Sequence, residues 1–195
     1  AYGYWLDIPA APALSSRTLG GRLTGEQPLS DGLRIHYAAE YARQSDLSIN
    51  PRDFAHDYLL LEPGIGIGPV TIRVGYERLE GDGITALQTP LATLHAFNGW
   101  TDRFLTTPPS GLRDLYADVQ WRIGSLFTST PATLRFQLHD FNATHGGADY
   151  GREVGAWLTV PVTRQISAAF KLSHYEADAF ATDTTKSWFS VEARF

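Results

Sequence analysis

The feature that most constrains this chain is an alternation of apolar and polar residues, held at period two through segment after segment. In Val70 to Glu77, the positions Val70, Ile72, Val74 and Tyr76 are apolar or aromatic, and Thr71, Arg73, Gly75 and Glu77 are polar or small. Leu115, Ala117, Val119, Trp121 and Ile123 alternate with Asp114, Tyr116, Asp118, Gln120 and Arg122. Leu134, Phe136 and Leu138 alternate with Arg135, Gln137 and His139, and Val154 to Val162 and Ile166 to Leu172 continue the pattern. Successive side chains of a strand point to opposite faces, so this period makes strands with one apolar and one polar side. Segments 2–8, 17–24, 33–42 and 58–67 repeat it less cleanly, and the terminal KSWFSVEARF (186–195) closes it. The expectation is about ten strands in a single domain, 1–195.

The stretches between strands are sorted. Segments 43–57, 80–111, 142–152 and 175–186 are long, while 68–69 and 163–165 are minimal and 26–32 and 125–132 are shorter. One rim of short turns and one of long loops is how outer-membrane barrels are built, with the short turns periplasmic and the long loops extracellular. Each segment is about as long as a tilted strand needs to cross a bilayer. The fold class expected is therefore all-β: an antiparallel up-and-down transmembrane β-barrel, partnered by the lipid bilayer. Aromatics near the strand ends, including Tyr37, Tyr41, Tyr150 and Trp188, fit an interfacial girdle. Aromatic residues also suit strands in general.

Composition removes several classes. A net charge of -5 argues against a nucleic-acid binder, which needs a basic patch for phosphate. The chain has no cysteine, which excludes disulfide scaffolds and thiolate metal sites. The six histidines are scattered without ligand spacing, and the acidic loop residues lack calcium-loop spacing, so no metal or cofactor is expected. Nor is there a nucleophile and base at catalytic spacing, so the chain does not read as an enzyme.

If the apolar side faces lipid, the polar side lines a lumen that mixes both signs of charge. Isolated buried charges are costly, so these must pair or stay hydrated. The solute-contact candidates are Arg22, Arg34, Arg73, Glu77, Asp114, Asp118, Arg122, Arg135 and Lys171, with His36, Glu40, Glu62, His139 and Glu153 on the same side. The arginines suit an anionic solute, because a guanidinium fork matches carboxylates. The alternative is that these charges only cross-link the wall. Gly64, Gly66 and Gly68 recur at period two and read as a smooth inner stripe, since no helix follows to make a phosphate loop. Segment 80–111 carries too much apolar surface for an exposed loop: Leu87, Leu91, Leu94, Phe97, Trp100, Phe104 and Leu105. It is expected to fold into or over the lumen, with His95, Phe97, Trp100, Arg103 and Phe104 forming a constriction. Contact with another protein or a second subunit is the other way to cover it.

Several stretches carry a family likeness: APALSSRT (11–18), AAEYARQSD (38–46), LQTPLATLHAFNGWTDRFLTTPPSGLRDLY (87–116), HDFNATHGGADYGRE (139–153) and ADAFATDTTKSWFSVEARF (177–195). They resemble the C-terminal half of proteobacterial alginate-export-type outer-membrane proteins. The resemblance implies a bacterial outer-membrane barrel with a porin-like lumen. It would pass or export small or anionic solutes, with a polysaccharide suggested by the family's name. It also implies that Phe189, Val191 and Phe195 form the terminal signal read by the barrel-assembly machinery, with the C-terminus on the periplasmic side. Because the chain matches about half of such a protein, it is expected either to belong to a wider barrel or to close alone, first strand against last. A closed ten-stranded barrel would be nearly filled by side chains, and would then act as a structural or interaction barrel with a blocked lumen, a subunit or anchor of a larger envelope complex.

Overall fold

The computed structural model describes residues 1–90 and 98–194. It holds ten strands: β1 (Tyr2–Leu6), β2 (Ser16–Ser30), β3 (Leu33–Asp46), β4 (Ala55–Ile67), β5 (Val70–Leu79), β6 (Leu112–Gly124), β7 (Ala132–Asn142), β8 (Asp149–Pro161), β9 (Ile166–Ala177) and β10 (Thr184–Ala193). One short 3-10 turn, Pro12–Leu14, interrupts the first connection. The strands form one sheet in sequential order, each antiparallel to the next. Among the described residues β1 pairs only with β2 and β10 only with β9, so the sheet is an open, partial barrel, and direct closure of first strand on last is not observed. Among the described residues no helix is long and apolar enough to cross a membrane.

Several strands run further than alternation alone indicates. The stretch expected as a connection at 26–32 is strand up to Ser30, and the reversal is the two-residue turn 31–32, with Gly32 at φ 75. The polar end of this hairpin is held by Glu26, which lies 3.5 Å from Arg34 and 3.3 Å from His36. At the opposite rim β3 and β4 continue past their apolar positions through the pair Gln44↔His56. Hydrogen bonds of the ladder, rather than apolar pattern, carry these strand ends.

The two faces invert the usual rule of burial. Phe189, Leu23 and Leu138 are 73%, 64% and 57% exposed, whereas Asp114 and Asp118 on the other face are each 1% exposed. Gly64 and Gly66 lie on the polar face, where the side chains of His36, Arg34 and Arg73 occupy the space a Cβ would need. Two aromatics do not sit in an outward girdle: Tyr150 is buried, and Trp188 lies on the polar face against Lys171. The main apolar cluster is confined to the long-loop rim, where Leu87 and Phe104 of segment 80–111 pack with Leu79, Leu112, Phe141, Tyr150 and Tyr175. The Phe104 ring is 4.5 Å from that of Phe141 and 5.1 Å from that of Phe180.

Candidate functional site: the polar face and the segment folded on it

Neighbouring strands place opposite charges at facing positions, and the sheet register turns them into pairs. Arg73↔Asp118 is a register pair of β5 and β6, and the Arg73 guanidinium lies 3.5 Å from the Asp118 carboxylate. Arg135 Nε, one strand further on, donates to the same carboxylate at 2.5 Å, and Gln137 adds a third hydrogen bond at 3.1 Å. Arg22 binds Glu40 at 2.5 Å, and Tyr2 donates to that carboxylate as well. Glu62 accepts from Tyr116 at 2.5 Å and faces Arg73 at 3.9 Å. In the Asp118 and Glu40 groups the acid lies beneath and the base above. The Asp118 side chain is 2% exposed under Arg73 at 28% and Arg135 at 33%, and Glu40 is 12% exposed under Arg22 at 48%. The wall is close to neutral in sum, yet the surface it presents there is guanidinium.

Segment 80–111 contacts this face, among its described residues, at Gln88 and from Asn98 to Asp102. Its turn at 98–102 has positive φ at Asn98 (52°), Gly99 (85°) and Asp102 (60°), conformations that Gly, Asn and Asp tolerate best. The turn points its donors at Glu153 of β8. The backbone N–H groups of Trp100 and Thr101 and the Thr101 hydroxyl all donate to that carboxylate, and Ser173 Oγ of β9 donates from the wall at 2.6 Å. A carboxylate has two oxygens with several lone pairs, enough to accept from all of these donors at once. Asn98 Nδ2 bonds Glu77 at 2.8 Å and Asp114 at 3.4 Å, and Lys186 reaches Asp102 at 2.8 Å. Glu77 also accepts from Tyr58 at 2.6 Å, and His139 Nδ1 bonds Asp114 at 2.9 Å.

Trp100 packs on Gly155, where a Cβ would come within 2.6 Å of the indole. Register aligns Arg135↔Trp157↔Lys171↔Trp188 across β7 to β10. The Lys171 ammonium lies 4.4 Å, 4.8 Å and 5.3 Å from the rings of Trp157, Trp100 and Trp188, and the Arg135 guanidinium carbon lies 5.7 Å from Trp100. These are cation–π distances. A cavity of about 560 Å³ opens between segment 80–111 and the first five strands, bordered by Tyr2, Arg22, Glu40, Tyr58, Glu77 and Asn98.

The expected residues therefore separate into groups. Arg73, Asp118 and Arg135 form one cluster, and Glu77 and Asp114 meet through Asn98. Lys171 belongs to the tryptophan group, and Arg22 stands apart with Glu40. Arg34 sits near the short-turn rim with Glu26, and Arg122 is exposed there, donating to the Gly68 carbonyl at 3.2 Å. Trp100 and Phe104 are buried at separate places, the wall and the rim cluster, and Arg103 is half-buried between them in sequence. Phe189 and Val191 point outward from β10. His95, Phe97 and Phe195 lie outside the described residues. Glu153, the acid that gathers the most contacts from the 98–102 turn, stood out in the sequence only as one polar position among many. The signal for it lay elsewhere, in the Asn98-Gly99 dipeptide of a turn whose bare N–H groups need an acceptor. Among the described residues no group of three His, Cys, Asp or Glu side chains converges as a metal site would need.

Comparison with solved structures gives the fold. The chain is similar to the outer membrane protein OprD from Pseudomonas aeruginosa, with a TM-score of 0.71 and 12% identity over 91% of this chain and 52% of that one. It is also similar to Pseudomonas aeruginosa OpdL (TM-score 0.68, 16% identity, 90% of this chain and 50% of that one). Pseudomonas aeruginosa OccK3 (OpdO) matches with a TM-score of 0.62 at 16% identity, over 90% of this chain and 48% of that one. The chain spans about half the length of the solved structures it matches, and its fold is that of an outer-membrane β-barrel. No family model matches the sequence, and no curated protein matches it.

Proposed function

We propose that these ten strands form wall in a bacterial outer-membrane conduit of porin type, through which small solutes, anionic ones above all, pass without an energy source. The observation that carries the reading is the inverted burial of the sheet. Apolar side chains are bare on one face, and on the other a lining of paired charge puts guanidinium groups above buried carboxylates. A dry core has no use for such a face, whereas a water-filled lumen selects solutes with one. The bilayer covers the apolar face, the long-loop rim is extracellular and the C-terminus periplasmic. Phe189 and Val191 belong to the strand that the assembly machinery reads. The chain performs no catalysis in this reading.

Single-channel recording in planar bilayers tests it. The expected result is discrete conductance steps with a reversal potential in a salt gradient that favours anions. A flat trace from correctly folded protein overturns the conduit. It favours the second reading, a structural or interaction barrel with a blocked lumen, to which the pinned turn at 98–102 lends support. Export of a polysaccharide, the finer reading from the alginate-export resemblance, requires uronate oligomers to block the same conductance in the millimolar range or below, roughly 4 kcal/mol of binding or more.

A further inference from the structure

We infer that Glu153 is the positioning residue that seats the 98–102 turn on the wall, and that through this seat it sets the free cross-section of the conduit. The inference rests on the conduit reading for its consequence and on geometry alone for the seat itself.

Four donors converge on one carboxylate, and three of them belong to the turn: the N–H groups of Trp100 and Thr101 and the Thr101 hydroxyl. The fourth, Ser173 Oγ, fixes the carboxylate from the wall at 2.6 Å. Glu153 is 4% exposed and Thr101 is fully buried, so water does not compete at this point. The residues around the carboxylate are shaped to admit it. A Cβ on Gly99 would lie 2.5 Å from Glu153 Oε2, and the φ of 85° at Gly99 disfavours any other residue. Gly155, two positions along the same face of β8, is the floor on which the Trp100 indole rests. Hydrogen bonding and shape thus act on one turn from adjacent positions of a single strand.

The other ties of the turn are of a different kind. In the Lys186–Asp102 contact at 2.8 Å the lysine side chain is one-third exposed, and the Asn98 amide divides its contacts between Glu77 and Asp114. A partly exposed pair holds weakly, whereas a buried carboxylate with several donors fixes both position and orientation. Removing Glu153 leaves the backbone N–H groups of Trp100 and Thr101 without an acceptor, which favours a turn that leaves the wall for water.

The experiment combines two readouts on the native polypeptide in lipid nanodiscs and planar bilayers, with wild type, Glu153→Gln, Gly155→Ala and the rim control Asp140→Asn. Glu153→Gln keeps the shape but exchanges one acceptor for a donor. Gly155→Ala leaves the carboxylate and removes the floor. Both are expected to speed amide exchange at Trp100 and Thr101 about tenfold or more, with β7 to β9 still protected. Both are also expected to raise single-channel conductance by about one-half or more, since the turn no longer occupies the lumen. Asp140→Asn moves neither. Unchanged exchange at Trp100 and Thr101 in both variants overturns the seat. Faster exchange with unchanged conductance overturns its control of the cross-section. If wild type and variants alike fail to conduct while exchange still rises, the conduit reading fails and the seat stands.

Discussion

Asp118 and Glu153 are both buried carboxylates on the same face of the same sheet, and they are held in opposite ways. Asp118 is held by its own sheet: Arg73 from one neighbouring strand, Arg135 and Gln137 from the other. Among the described residues Glu153 receives the Ser173 hydroxyl from β9, and its other donors arrive from a turn about fifty residues away. One site is charge against charge and belongs to the wall. The other is charge against uncharged donors and belongs to the joint between wall and loop. The difference predicts which loss the whole sheet feels and which only the segment feels.

The largest effect is expected at the first site. Asp118→Ala leaves Arg73 and Arg135 facing one another without their shared anion. Breaking a buried pair by removing one partner costs about 3–5 kcal/mol, and the partial exposure of both arginines lowers this to about 2–3 kcal/mol. Urea unfolding in lipid vesicles reads it, and a loss below about 1 kcal/mol would remove the distinction between the sites. A smaller effect is expected from Ser173→Ala, which takes one wall donor from Glu153 and leaves the turn's donors in place. Global stability falls by about 1 kcal/mol, close to the worth of a single hydrogen bond. If this substitution instead unfolds the sheet as Asp118→Ala does, Glu153 belongs to the wall and not to the joint.

The smallest effect lies at the base of the segment. Asp82 accepts from the N–H groups of Thr85 at 2.7 Å and Ile84 at 2.8 Å, and these bonds hold its carboxyl down at about 2. A folded value below the usual carboxylate value near 4 means the bonds stabilise the 82–85 turn fully above that pH. That contribution is lost as pH falls through about 2. The carboxyl carbon of Asp82, followed by NMR, should titrate with its midpoint near 2, and a midpoint near 4 would show the turn to be unformed.

The same contrast explains what could be read in the sequence. Arg73, Asp118 and Arg135 lie on three consecutive strands, so period two and antiparallel order suffice to bring them onto one face. All ten strands were legible for that reason, with the ends of β2 and β3 understated because ladder bonds persist where the apolar pattern stops. Glu153 was not legible as an anchor. Its partners are backbone N–H groups, which every residue but proline possesses, and nothing in the spelling of Trp100-Thr101 marks where those groups point. Tyr150 and Trp188 misled for a related reason: an aromatic near a strand end serves an outward girdle or an inward cluster equally well, and only the face decides.

The claim beneath all of these is that the two faces meet different solvents. The chain has no cysteine, so single cysteines can be placed without background. The direct measurement puts them one at a time along β7, at Thr133, Leu134, Arg135, Phe136, Gln137 and Leu138, in reconstituted vesicles exposed to a water-soluble, membrane-impermeant thiol reagent. The account predicts period-two labelling, fast at Thr133, Arg135 and Gln137 and slow at Leu134, Phe136 and Leu138. Fast labelling at Phe136 and Leu138, with Arg135 and Gln137 protected, would mean the apolar face meets water and would contradict it.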